Sequence, residues 1–136
     1  NRRRRERYAT NPSFRLRIVL AQRINGVFRG NGNKAESTEC LTGIPFKRFQ
    51  EWIEYQLKDD MTWDNYGDEW EIDHVIPISS FDLTDLDQQK ECFNWKNQAP
   101  LYITENRSKK DKIISSIKKK HDSVVVKFKK LNPDLE

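Results

Sequence analysis

The chain has 136 residues, of which 35% are hydrophobic and 34% charged, with a formal net charge of +4 at pH 7. That length fits one domain with a modest core, to which four Trp and seven Phe add much apolar area. No apolar run reaches the length of a transmembrane helix and the arginine-rich start lacks the apolar segment of a secretory signal, so no membrane association is expected.

The expected setting is intracellular: cytoplasm, nucleus, or a phage or viral enzyme acting inside a host. The chain opens on Asn1 rather than Met, which leaves an upstream segment open. Cys40 and Cys92 stand far apart with no CxxC pairing, and only His74 and His121 could assist them, so no structural zinc is expected. Two buried free thiols are the expectation, with a disulfide as the alternative.

The charges are segregated. Residues 2–29 hold nine Arg against Glu6, and residues 107–130 hold ten Lys or Arg against Asp111 and Asp122. Between them, residues 36–91 hold fifteen acids against Lys47, Arg48, Lys58 and Lys90. Either basic run alone could be a solvated surface; two basic flanks around an acidic middle point to a polyanion held by the flanks, with duplex DNA the expected partner.

In chain order, "RRRRERYATNPSFRLRIVLAQRINGVFRG" reads as a basic arm followed by a helix. Asn11 is its cap and Pro12 its first residue, with Phe14, Ile18, Ala21, Ile24 and Phe28 on the inward face. Gly30 and Gly32 end it, and residues 30–38 read as a loop. "TGIPFKRFQEWIEYQL" predicts a second helix with Phe46, Phe49, Ile53 and Leu57 along one side. A polar loop over 58–69 follows, with Trp63 and Tyr66 packed back on the core. A strand is predicted from Trp70 to Ile76, stopped by Pro77.

"TDLDQQKECFNW" predicts a short helix capped by Thr84; a loop bearing Asn97 leads to a second strand, "APLYI". "TENRSKKDKIISSIKKK" predicts the third main helix, with Thr104 as cap and Ile113, Ile114 and Ile117 inward. "DSVVVKF" fits an extension of that helix or another strand. His121, in "KKKHD", reads as surface.

The chemistry concentrates in "EWEIDHVIPISSFDL", residues 69–83, where Asp73 precedes His74 in an apolar run. A neutral His can take a proton from water. Asp and Asn oxygens suit Mg²⁺ or Mn²⁺ better than zinc. The order of strand with Asp73-His74, loop with Asn97, strand, and helix with Asn106 near its first turn can bring Asp73, His74 and Asn106 together. On a regular strand, however, Asp73 and His74 would point to opposite faces.

From about Cys40 to Lys112 these residues resemble the HNH nucleases, which carry a ββα-metal active site. The likeness is to the compact phage and intron homing type, with "WEIDHVIPISSFDL", then "NQAPL" and "ENRSK", and with "MTWDNYG" leading into the hairpin. The resemblance implies an α+β fold with a hairpin-plus-helix core, additional N-terminal helices, and a DNA endonuclease activity. It implies Asp73 as a metal ligand, His74 as general base, Asn97 as the residue that orients the base's loop, and Asn106 as the second metal ligand. One divalent ion, Mg²⁺ or Mn²⁺, is implied per site.

Each residue has a plainer alternative. His74 could be a structural histidine, Asn97 a turn residue and Asn106 an exposed helix start, with Glu105 a rival ligand. Arg107, Lys109, Lys110 and Lys112 are expected to contact phosphates in part, and Arg2, Arg3, Arg4 and Arg5 to lie in a groove or form a solubilising tail. The expected organisation is 1–38 as basic arm and helix, 39–120 as nuclease domain, and 121–136 as basic extension. A non-cleaving nucleic-acid-binding module and an RNA-cleaving relative are the alternatives.

Overall fold

The basic arm at the start of the chain is itself helical. The computed structural model describes residues 2–28, 37–105 and 115–135. Helix α1 (Arg2–Thr10) is followed by α2 (Pro12–Phe28), and the Asn11 side chain accepts a hydrogen bond from the Phe14 N–H at 3.1 Å, as an N-cap does. The short α3 (Thr38–Thr42), capped by Ser37, was not foreseen; it ends at Gly43, whose φ of 74° turns the chain toward α4 (Phe46–Gln56).

Strand β1 (Trp70–His74) follows the 58–69 loop, and β2 (Gln98–Tyr102) pairs with it antiparallel, with Trp70 opposite Tyr102, Ile72 opposite Pro100 and His74 opposite Gln98. Among the described residues the sheet has two strands, so β2 pairs on one side alone and Pro100 is tolerated within it. Between the strands run a 3₁₀ turn (Ile78–Ser80), helix α5 (Leu86–Phe93) and a second 3₁₀ turn (Trp95–Asn97). Helix α6 (Ser115–Leu131) closes the described chain. The architecture is therefore α+β, with helices around a two-stranded antiparallel sheet. No helix among the described residues is long and apolar enough to cross a membrane.

The core joins α2, α4, β1 and α5 to Phe128 of α6, with Trp52 at its centre. The Trp52 ring meets Trp95 at 5.1 Å, Phe128 at 5.0 Å and His121 at 5.5 Å between centroids, and its Nε1–H donates to the Gln98 carbonyl at 3.0 Å. One buried indole thus ties α4 to β2 by apolar packing and by a satisfied polar tip. Trp63 and Tyr66 pack on Trp70 at 5.2 and 4.9 Å, as expected of that loop.

Several expectations are corrected. The inward line of α2 is Leu16, Val19, Leu20 and Ile24, whereas Phe14 and Ile18 are only half-buried. Phe14 faces α1, where the Arg7 guanidinium lies 4.3 Å from its ring centroid, so the core-facing stripe turns to the leucines. β1 ends at His74, not Ile76, because the backbone of residues 75–76 is taken up by Asn97. Asp85, not Thr84, is the N-cap residue of α5; the Thr84 hydroxyl instead donates to Asp82 at 2.6 Å.

"DSVVVKF" is helical and lies within α6, which runs unbroken across residues 120–121. His121 is buried: the lysines before it occupy the outer phase of the helix, and the ring turns inward to bond the Lys96 carbonyl. Cys40 is exposed, and Cys92 is buried, with burial pushing its thiol up to about 12. Both thiols are free.

Candidate active site

Alternation along β1 sends Trp70, Ile72 and His74 to the buried face and leaves Glu71 and Asp73 half-buried on the other. His74 is 3% exposed, and its ring stands edge-on to Phe93 at 5.4 Å. At the end of the strand the two side chains nevertheless converge. His74 Nδ1 lies 4.0 Å from Asp73 Oδ1, beyond hydrogen-bond reach, and the chain bends at residues 75–76 directly after it.

That bend is fixed by Asn97. Its side-chain oxygen accepts from the Ile76 N–H at 2.8 Å, and its Nδ2 donates to the carbonyls of Ile76 at 3.1 Å and Cys92 at 3.0 Å. Its main-chain carbonyl takes the Val75 N–H at 2.8 Å. An N–H on one side and two carbonyls on the other also settle which amide atom is oxygen. Asn97 therefore staples the exit of β1 to the end of α5, immediately after His74. Gln98, opposite His74 in the sheet, is itself buried and donates to the Phe93 carbonyl at 2.8 Å.

A residue that sequence reasoning had counted only within the basic flank enters from α2. Arg23 Nη2 lies 3.5 Å from Asp73 Oδ1, and its Nη1 lies 3.9 Å from Glu71 Oε2. Burial raises the pKa of the neighbouring Tyr66 phenol, and the Arg23 guanidinium partly offsets that rise. Alternation along β1 would have placed Glu71 beside Asp73; no local pattern links either to a residue in α2.

Asn106, Arg107, Lys109, Lys110 and Lys112 lie outside the described residues. The chain reaches them from β2 through residues 103–105, which are helical. Glu105 Oε1 accepts from the Tyr102 N–H at 3.2 Å and lies 3.6 Å from Lys58 Nζ, so that carboxylate is engaged at the start of its own helix. Arg2, Arg3, Arg4 and Arg5 are exposed on α1; Arg2 pairs with Glu6 at 3.1 Å and Arg4 lies over Phe14 at 5.8 Å.

Among the described residues, no three His, Cys, Asp or Glu side chains lie together as a metal-holding group. Asp73 supplies one hard oxygen donor beside an imidazole. A carboxylate oxygen is a donor that Mg²⁺ or Mn²⁺ takes alongside water and phosphate ligands. Nearby, a cleft of about 580 Å³ between β2 and α6 has Val75, Ala99 and Leu101 on its wall and Lys58, Lys120 and Lys127 around it.

No protein-family model matches this chain, and no solved structure matches it. It is similar to two proteins of Acanthamoeba polyphaga mimivirus. The uncharacterized protein L426 is 45% identical over 130 residues, 96% of this chain and 57% of that protein. The uncharacterized protein L246 is 38% identical over 124 residues, 91% of this chain and 54% of that protein. The chain thus spans little more than half the length of these curated relatives, and the likeness runs through both basic flanks and the hairpin between them.

Proposed function

We propose that this chain is an HNH-type endonuclease unit that hydrolyses DNA phosphodiester bonds with one Mg²⁺ or Mn²⁺ ion. The observation that carries this reading is the Asn97 staple. A side chain with three hydrogen bonds fixes the backbone that follows His74, while Asp73 Oδ1 lies 4.0 Å from the His74 ring. The sheet then leads into helical residues 103–105, the start of the segment that carries Asn106.

A divalent ion bound by Asp73 and Asn106 would supply Lewis acidity at the scissile phosphate and the leaving oxygen. His74 takes the proton of the attacking water. Asn97 prevents the His74 loop from relaxing as charge moves, so the base keeps its geometry through the step. The lysines of α6 and the arginines of α1 neutralise neighbouring phosphates, which gives affinity without reading sequence.

The burial of His74 favours a second reading, a nucleic-acid-binding module whose hairpin does not cleave. Supercoiled plasmid incubated with Mg²⁺, Mn²⁺ or chelator separates the two. Nicked or linear product that needs the metal supports the nuclease. Salt-sensitive binding with no product under any metal supports the module, and cleavage confined to RNA would move the substrate from DNA to RNA.

A further inference from the structure

Arg23 is part of the site's geometry, yet the proposed chemistry does not use it. It crosses from α2 to reach two carboxylates that stand two residues apart on one face of β1. Its side chain is 26% exposed and that of Asp73 is 16% exposed, so water screens the pair only in part. The oxygen it approaches, Asp73 Oδ1, is the same one that faces His74.

We propose that Arg23 is an internal competitor for the divalent ion, a positioning residue that holds the Asp73 carboxylate until metal displaces it and thereby sets metal affinity. This rests on the HNH reading of Asp73. A guanidinium at this distance neutralises part of the carboxylate's field, and an incoming cation meets a like charge a few ångströms away. Arginine cannot relieve that repulsion by losing its proton, so the side chain must move.

Two distances make the movement easy. The 3.5 Å contact to Asp73 is longer than a tight charge-assisted hydrogen bond, and Glu71, 3.9 Å from the other nitrogen, together with the Tyr66 phenol keeps the guanidinium paired after it leaves. Arg23 would then swing from a shared position onto Glu71 as the ion arrives.

Mn²⁺ binding by the intact chain, measured by calorimetry at low ionic strength, tests this on wild type, Arg23→Gln, Arg23→Lys and Asp73→Asn. Arg23→Gln is expected to bind Mn²⁺ about three- to tenfold more tightly than wild type, Arg23→Lys close to wild type, and Asp73→Asn not measurably. Arg23→Met, which keeps the apolar stem, gives the same comparison if the glutamine variant folds poorly. Equal or weaker binding by Arg23→Gln and Arg23→Met, with Asp73→Asn still defective, overturns the competition and leaves the reading of Asp73 standing. Absence of Mn²⁺ binding by all of the proteins overturns both.

Discussion

Helix α1 contributes no buried residue and is attached to α2 through arginines lying over Phe14, whereas Trp70 and Ile72 of β1 and four of the five residues of β2 are buried. Charge is concentrated in the first region, and the proposed chemistry in the second. The hairpin is anchored from both ends of its connection, by Trp52 bonding the Gln98 carbonyl and by Asn97 bonding residues 76 and 92. A site that must hold a base steady gains from being continuous with the core; a region that meets phosphates needs only exposed cations. Substitutions should therefore separate the two: core and hairpin changes cost stability or cleavage, and α1 changes cost affinity.

The largest stability effect is expected at Trp52. Trp52→Ala removes a fully buried ring and one hydrogen bond, and should cost about 3–5 kcal/mol, read from the urea unfolding midpoint. A loss under about 1 kcal/mol would show that the hairpin does not depend on this anchor.

Asn97→Ala comes next. It strands the Ile76 N–H and the Cys92 carbonyl, each an unsatisfied group worth about 1–3 kcal/mol where solvent cannot reach it. Plasmid cleavage should fall with it while DNA affinity stays near wild type, and Asn97→Asp, which turns a carboxylate oxygen onto the Ile76 and Cys92 carbonyls, should fall at least as far. Cleavage unchanged in Asn97→Ala would remove the staple from the mechanism.

The smallest stability effect is expected from replacing Arg2, Arg3, Arg4 and Arg5 together by Gln. Folding should stay within about 0.5 kcal/mol of wild type, because these side chains are exposed. DNA binding should weaken, and its salt slope should become shallower by about 0.9 for each phosphate that is no longer neutralised. A large drop in melting temperature with unchanged affinity would invert the comparison.

The contrast between the regions also governs what the sequence discloses. The period-two pattern of Trp70 to His74, the Asn11 cap of α2 and the Phe49 and Ile53 stripe of α4 are local, so strand and helices were legible there, whereas the stripe of α2 was misplaced because Phe14 turns to α1. Asn97 was singled out through its place in a resemblance; its actual bonds join residues 76 and 92 across a folded connection that no periodicity describes. Arg23 and Asp73 are 50 residues apart, and their pairing appears only once α2 packs beside the sheet.

The "VVV" of residues 124–126 favours a strand by propensity, but packing of the helix face that carries His121 and Phe128 against Trp52 overrides it. His121 was obscured by its charged neighbours, because a helix turns consecutive residues to different sides. The segment with Asn106, Arg107, Lys109, Lys110 and Lys112 contributes to this account through its sequence alone.

The central claim is that His74 is a general base placed by the hairpin. Its most direct test compares wild type and His74→Ala on supercoiled plasmid in Mg²⁺, with DNA affinity and melting temperature measured on the same preparations. Cleavage is expected to fall by about 10²- to 10⁴-fold while the variant stays folded and binds DNA nearly as well as wild type. Equal cleavage by a folded His74→Ala variant would contradict the claim.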